Sequence, residues 1–201
     1  MVFLPGCSFA CGWCHNRVLV NAPDELEDIP VERILSRVRE LSAWVDGIVV
    51  TGGEPTIHAD LPDLIGTLKT AAPVKLDTNG SRPDMLEKLL AEKLLEGVSM
   101  DIKAPLEVDH YSRVAGVTVD MEAIRRSIRL ILDSGIWYEF RTTLLPTLHT
   151  PRDVALMREH LKKIAGAPLA RPLKLQAFKP HEDLPEPWRS MPSVDLSEFE
   201  C

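Results

Sequence analysis

The sequence predicts an α/β domain built on a parallel sheet, and three observations carry that expectation. Short apolar runs alternate with stretches of helical period along the 201 residues, a pattern that implies parallel strands joined by right-handed crossovers. Each motif with chemical character falls at or just past the end of a predicted strand, where the sites of βα barrels gather. Several strands carry charged residues on one face. Alternation fits either a doubly wound sheet or a partial barrel. The charged faces favour a barrel, because they can line its upper interior around a ligand; on any single strand they would equally suit an edge facing water.

Taken in order, Met1 to Pro5 reads as the end of a buried strand, and Cys7 follows so soon that this strand is short. A long cysteine-bearing loop continues through the acidic segment Pro23 to Pro30, and ordered loops of that length tend to be functional. Val31, Ile34, Leu35, Val38, Leu41 and Val45 recur at helical spacing. Gly47 to Thr51 is an apolar strand that runs into Gly52-Gly53-Glu54-Pro55. Leu61, Leu64, Ile65 and Leu68 mark the next helix, and Val74 to Asp77 the next strand, closed by the turn residues Thr78-Asn79-Gly80. Pro83 suits a first helical turn, with Leu86, Leu89, Leu90 and Leu94 as its buried stripe. Gly97 to Lys103 alternates as a strand, with Val98, Met100 and Ile102 on one face and Ser99, Asp101 and Lys103 on the other.

A looser segment, Ala104 to Val119, leads to a helix marked by Ile124, Ile128, Ile131 and Leu132, which Gly135 is placed to end. Ile136 to Leu145 is a strand with Glu139, Arg141 and Thr143 on one face. Thr150-Pro151-Arg152-Asp153 is a capped helix start, followed by Val154, Met157, Leu161 and Ile164. Leu173 to Phe178 is the last strand. The count is six strands separated by five helices. The expected organisation is a core domain over residues 1–180 and an irregular, acidic, proline-containing tail over 181–201.

Composition narrows the class. With 45% hydrophobic and 26% charged residues, the chain matches ordinary soluble globular proteins. A formal net charge of -7 and the lack of a strong basic patch argue against nucleic acid as a partner. Arg125, Arg126 and Arg129 cluster, but at spacings that suit a solvated helix face. No apolar run approaches membrane-spanning length. Leu4-Pro5-Gly6-Cys7 has the look of a lipoprotein cleavage box, yet no basic and apolar leader precedes it. The chain is too long and too poor in cysteine for a disulfide scaffold, and clustered thiols without an export signal predict the cytoplasm. Cys201 reads as a stray thiol.

The stretch Gly6 to Asn16, G-C-S-F-A-C-G-W-C-H-N, holds three of the four cysteines as C-x3-C-x2-C. Thiolates so close in sequence can reach one metal centre, and as soft ligands they select iron–sulfur or zinc. A cubane cluster ordinarily takes four cysteines. Three leave one iron open, and an open position is where a ligand binds. For zinc the fourth ligand would be His15, badly placed directly after Cys14, or the distant Cys201.

The pattern C-x3-C-x-aromatic-C resembles that of the radical S-adenosylmethionine (SAM) enzymes. The resemblance implies an open (β/α)6 partial TIM barrel of parallel strands, from which this chain departs in reading as having a shortened first strand. It also implies a [4Fe–4S] cluster on Cys7, Cys11 and Cys14, SAM chelating the open iron, and Trp13 beside the adenine. The motif Gly52-Gly53-Glu54-Pro55, about forty residues on, matches the one that contacts the SAM amino group; alone it would be a turn before a helix. Cys14-His15-Asn16, Asp77-Thr78-Asn79-Gly80 and Asp101-Ile102-Lys103 are similar to motifs of the glycyl-radical-enzyme activases. K-L-D-T-N-G, M-D-I-K-A-P, E-F-R-T-T and Q-A-F-K-P look most like the activating proteins of anaerobic ribonucleoside-triphosphate reductases.

By that likeness Lys103 pairs with the SAM carboxylate, and Asp77, Thr78 and Asp101 lie close to it, holding a monovalent cation, with Asn79 in the same motif. The plainer reading of each is a surface ion pair or a strand-end turn. Two departures stand out: Lys179 takes the place of a histidine found in the pyruvate formate-lyase activator, and the chain begins inside its first strand. The implied activity is reductive cleavage of SAM and formation of a glycyl radical on a partner enzyme. That partner would be an anaerobic ribonucleotide reductase, with flavodoxin or ferredoxin as electron donor. Three alternatives remain: an activase of a pyruvate formate-lyase-like enzyme, a small-molecule radical SAM enzyme of the 7-carboxy-7-deazaguanine synthase type, and a zinc-stabilised binding module without catalysis.

Overall fold

A computed structural model describes residues 1–199. Its six strands are β1 (Val2–Leu4), β2 (Ile48–Gly52), β3 (Val74–Thr78), β4 (Gly97–Asp101), β5 (Trp137–Leu144) and β6 (Lys174–Ala177). They form one sheet in sequence order, every neighbouring pair parallel. A doubly wound sheet reverses its strand order at a switch point. Here the order never reverses, so right-handed crossovers put the connections on one side. The sheet is the expected open six-stranded partial barrel.

Seven α-helices connect the strands: α1 (Arg17–Asn21), α2 (Val31–Glu40), α3 (Leu61–Lys69), α4 (Pro83–Ala91), α5 (Val108–Ala115), α6 (Met121–Asp133) and α7 (Pro151–Ala165). Leu61, Ile65 and Leu68 of α3, Ile124 and Ile128 of α6, and Val154, Met157 and Leu161 of α7 are fully buried, as are Val50, Leu76, Met100 and Phe140 from the strands. This one core covers one face of the sheet. The other face carries Lys75, Asp77, Ser99, Asp101 and Arg141, brought side by side because Asp77 is in register with Ser99 and Asp101 with Arg141. The start of α7 is the predicted capping box: Asp153 N donates to Thr150 Oγ1, and Thr150 N donates to an Asp153 oxygen at 2.7 Å.

Four features differ from the sequence expectation. β1 is not a buried strand: it lies at the sheet edge, with Phe3 47% exposed. The cysteine loop contains α1 and a 3-10 turn at Pro23–Glu25. The first long helix stops at Glu40 rather than running to Val45. The segment Ala104 to Val119, expected to be loose, contains α5. Between Glu182 and Phe199 the tail has 3-10 turns at Trp188–Ser190 and Leu196–Phe199, and it inserts Leu184, Met191 and Phe199 into the core. Cys201 lies outside the described residues.

Helix α5 bears on everything that follows, because its C-terminus meets the cysteine loop. Gly116 caps it in the left-handed region, φ 73°, and donates its N–H to Ser112 O. A Cβ on Gly116 would stand 2.2 Å from Ala10 O, a main-chain atom of the loop. Gly116→Ala therefore combines left-handed strain with a backbone clash, and the expected loss is about 2–4 kcal/mol of unfolding free energy. Urea denaturation of the two proteins checks it; a loss below about 1 kcal/mol would mean that α5 and the loop are not held together as described.

Candidate active site

All twelve residues singled out from the sequence line one cavity of about 210 Å³ at the C-terminal ends of the strands: Cys7, Cys11, Trp13, Cys14, Gly52, Gly53, Glu54, Asp77, Thr78, Asn79, Asp101 and Lys103. Phe9, His15, Asn16, Thr51 and Arg141 complete the lining. A larger cavity, about 670 Å³, opens between Thr56, Arg82, Met85, Glu122 and Arg126. It contains no thiol and none of the twelve residues, so size does not mark the chemistry here.

The cysteine loop has no strand ladder to hold it, and its neighbours supply the bonds. Gly6 N donates to Leu19 O at 2.9 Å and Ala10 N to Ala115 O at 2.9 Å. The indole N–H of Trp13 donates to Val114 O at 3.2 Å, and the Cys11 thiol points to Ala115 O at 3.6 Å. Two N–H groups face the Cys7 sulfur: Phe9 N at 3.3 Å and Asn79 Nδ2 at 3.8 Å. Burial pushes the Cys7 thiol up and the Cys11 thiol up to about 11. These thiols therefore hold their protons until a metal displaces them.

The donor set fits an iron–sulfur cluster. Three free cysteines on one loop offer soft ligands, and N–H groups directed at a ligand sulfur are a known means of tuning such clusters. Among the described residues, no three His, Cys, Asp or Glu side chains gather on one point as a lone metal ion needs. A cubane spreads its three thiolates over three irons and does not need that convergence.

Gly52 and Gly53 prove to serve the protein's own packing. A Cβ on Gly53 would lie 1.8 Å from Gly6 O and 3.4 Å from Cys7 Cβ, and one on Gly52 would lie 2.2 Å from Leu4 O. The close approach allows Gly53 N to donate to Leu4 O and Glu54 N to Gly6 O, both at 2.9 Å. Glu54 is fully buried and engaged: Oε1 accepts from Thr56 N, Thr56 Oγ1 and Thr78 Oγ1, and Oε2 from Asn79 N at 2.6 Å. Burial raises its pKa against the pull of those donors. Its carboxylate ties the loop after β2 to the loop after β3.

The charged floor contains a residue the sequence reading placed on a strand face without giving it a role. Arg141 reaches across two strands, with Nη2 3.0 Å from Asp77 Oδ2 and Nε 2.5 Å from Asp101 Oδ1. Lys103 Nζ lies 2.8 Å from Asp101 Oδ2 and 4.9 Å from the centre of the Trp13 ring. Lys75 Nζ stands 3.0 Å from Asp77 Oδ1, an ion pair without an aligned hydrogen bond. Burial works against the charge on Asp101, but Lys103 and Arg141 outweigh it and hold its carboxyl below the usual range; Asp101 in turn keeps Lys103 protonated. The signal for Arg141 was its register opposite Asp101, which becomes visible only once β4 and β5 are paired.

Behind Lys103 sits His149, 4% exposed. Its Nδ1 accepts from Leu145 N at 2.9 Å and its Nε2–H donates to Lys103 O at 2.8 Å. Both ring nitrogens are satisfied only in the neutral form. Lys179 is exposed and contributes its carbonyl, 2.7 Å from His15 Nε2. His15 stacks on Phe178 with ring centres 5.8 Å apart.

Two outcomes follow from this geometry. Gly53→Ala should displace Gly6 and Cys7, lowering unfolding free energy by roughly 2 kcal/mol or more. It should also reduce the iron taken up on anaerobic reconstitution, and full iron content in this variant would contradict the packing described. Burial holds His149 below its ordinary pKa, so the unfolded chain takes up a proton near 6.5 while the folded chain resists it. Stability should therefore fall as pH drops below about 6.5. His149→Gln should flatten that part of the profile in denaturation measured across the range; an unchanged slope would remove His149 as its cause.

The family model of the radical SAM superfamily matches residues 1–170. A Methanocaldococcus jannaschii protein, assigned by inference as a glycyl-radical enzyme activating enzyme, is 30% identical over 205 residues, covering 99% of this chain and 80% of that one. The 7-carboxy-7-deazaguanine synthase of Neisseria meningitidis is 40% identical over 83 residues, covering 41% of this chain and 36% of that one. Among solved structures, Escherichia coli coproporphyrinogen III oxidase (HemN), a radical SAM enzyme, superposes with a TM-score of 0.64 at 16% identity, covering 98% of this chain and 48% of that one. This last likeness is one of fold, and the chain spans about half the length of that enzyme. Cysteine spacing, sheet order and family match agree: the chain belongs to the radical SAM superfamily.

Proposed function

We propose that this chain activates a glycyl-radical enzyme, holding a [4Fe–4S] cluster through Cys7, Cys11 and Cys14 with SAM beside it. The observation that carries the reading is the meeting of all twelve residues in one cavity. The match to the M. jannaschii protein, which extends over 99% of this chain, supports it. When bound, the cluster supplies the electron that splits the SAM sulfonium into methionine and a 5′-deoxyadenosyl radical.

The chain's own residues bind, orient and exclude water. Asp77 and Asp101 face three cationic heads, Lys75, Lys103 and Arg141. A carboxylate arriving at Lys103 meets an ammonium that Asp101 holds in place, and a charge-assisted bond of that kind is among the stronger polar contacts. Trp13 forms the adenine-side wall, its orientation fixed by Val114 O. Gly52, Gly53 and Glu54 serve the amino group by fixing the loop that meets it, and Asn16 is tied to Gly52 O at 2.7 Å. Thr78 and Asn79 hold Glu54 in place and Asn79 also reaches the Cys7 sulfur. β1 and β6 are not paired with each other, which leaves a side through which a peptide can enter. A glycine suits that approach because no side chain obstructs it.

The motifs E-F-R-T-T and Q-A-F-K-P favour an anaerobic ribonucleotide reductase as partner, with flavodoxin or ferredoxin as donor, in the reducing cytoplasm. No helix among the described residues is long and apolar enough to cross a membrane. On this reading residues 1–180 are the working core, and the described part of the tail, residues 181–199, covers it. The second reading, a small-molecule radical SAM enzyme, draws on the match to the N. meningitidis synthase.

The deciding experiment mixes the reduced, cluster-loaded protein with SAM and the candidate reductase, deuterated at its glycine α-carbon. A glycyl-radical doublet in electron paramagnetic resonance is expected, with deuterium recovered in 5′-deoxyadenosine, and Cys11→Ser should abolish both. If deuterium never transfers from any glycyl-radical enzyme of the source organism, the small-molecule reading takes over.

A further inference from the structure

The family resemblance implies a monovalent cation held by Asp77, Thr78 and Asp101, and the residues present do not fit it. All four carboxylate oxygens already face cationic heads: Asp77 Oδ1 faces Lys75, Asp77 Oδ2 and Asp101 Oδ1 face Arg141, and Asp101 Oδ2 faces Lys103. The Thr78 hydroxyl is also engaged, donating to Glu54 Oε1 at 2.7 Å and accepting from Gly80 N at 3.0 Å. A hard cation needs several oxygen ligands that are free to turn toward it.

Arg141 already takes the bridging position between the two carboxylates. Every carboxylate oxygen of Asp77 and Asp101 has a cationic nitrogen within 3.0 Å. An added cation would have to displace one of these heads or stand against it, in a half-buried site where like charges are poorly screened. The guanidinium is planar, carries its donors in a rigid fork and does not lose its proton. Register places it to bridge the carboxylates, since Arg141 lies directly opposite Asp101 while Asp77 stands on the strand beyond.

We propose that Arg141 is the built-in cation of this site, standing where a bound monovalent ion would bridge Asp77 and Asp101, so that the chain takes up its ligand without one. Arg141 is then a positioning residue: it fixes Asp101, and Asp101 fixes Lys103 for the ligand carboxylate. The ligand part of this inference rests on the SAM reading above, whereas the cation part does not.

The test compares small monovalent cations with choline, whose methylated nitrogen cannot take oxygen ligands at the short distances of a bound ion, at constant ionic strength. SAM affinity of the cluster-loaded wild-type protein should change less than about twofold among choline, lithium, sodium and potassium. Arg141→Ala should lose roughly tenfold or more in choline, as expected for a charged hydrogen-bonding group, and regain part of it in sodium or potassium. Arg141→Lys, which keeps a positive charge, should respond little to the salt. Melting of the cluster-free chain gives a readout independent of SAM: the wild-type melting temperature should ignore cation identity, and that of Arg141→Ala should rise with a small cation. A wild-type protein that gains tenfold in SAM affinity, or is stabilised, on replacing choline with sodium or potassium would overturn the proposal. Absence of SAM binding in every salt would overturn the SAM reading instead, and the melting comparison would still decide the cation question.

Discussion

The site depends on one close approach between two pieces of main chain. The cysteine loop passes the end of β2 so tightly that Gly6 O occupies the space of a Cβ on Gly53. Two hydrogen bonds, Gly53 N to Leu4 O and Glu54 N to Gly6 O, lock that approach. The glycine pair thus sets the position of Cys7 relative to the strand ends, and Glu54 extends the lock to β3 through Thr78 and Asn79. A motif that by resemblance is a ligand contact is also a joint between three loops. Loss of the joint would disturb thiols and ligand surface together, so the two roles cannot be separated by mutating the glycines alone.

The charged floor is the second element, and it is costly to keep. Placing carboxylates and cations away from water carries a penalty of several kcal/mol per ion, and an apolar floor of equal volume would often be as stable or more so. The arrangement therefore points to binding rather than to stability. Removing one partner is a different matter: a carboxylate left alone beside another destabilises by about 3–5 kcal/mol. Asp101 shows both sides of the balance, with burial opposing its charge and Lys103 and Arg141 restoring it. His149 supports the network from behind by holding the Lys103 carbonyl.

Much of this was legible in the sequence. Six strands in parallel order follow from alternation, and the motifs could be placed because each lies at a strand end, so one cavity collects them all. What the sequence hid depends on partners far along the chain. Arg141 reads as one charge on an alternating strand until pairing puts Asp101 opposite and Asp77 beyond. The burial of Glu54 could not be read from G-G-E-P, because its partners Thr78 and Asn79 come from another loop. Helix α5 is short and has a β-branched, polar composition that suggests a loop, but Gly116 was an available stop signal. β1 looked buried because it is apolar, yet a strand at a sheet edge with three residues cannot cover both of its faces.

The cysteine loop shows how an irregular segment can be held largely through its main chain. Its main chain is tied on one side to β2 and on another to the end of α5, where Ala115 and Gly116 press on Ala10 and Cys11. On a third side the tail closes over it. Trp188 packs on Gly12 so closely that a Cβ there would lie 2.7 Å from the indole nitrogen, and Trp188 also meets Phe178 edge to face at 6.2 Å. Phe178 in turn carries the His15 ring. Most of these contacts use main-chain atoms, a glycine, or residues between the cysteines. Fixing a loop through its backbone satisfies the polar groups that a strand ladder would otherwise engage. It also leaves Cys7, Cys11 and Cys14 facing the cavity, which is the condition for three neighbouring residues on one loop to serve a common ligand.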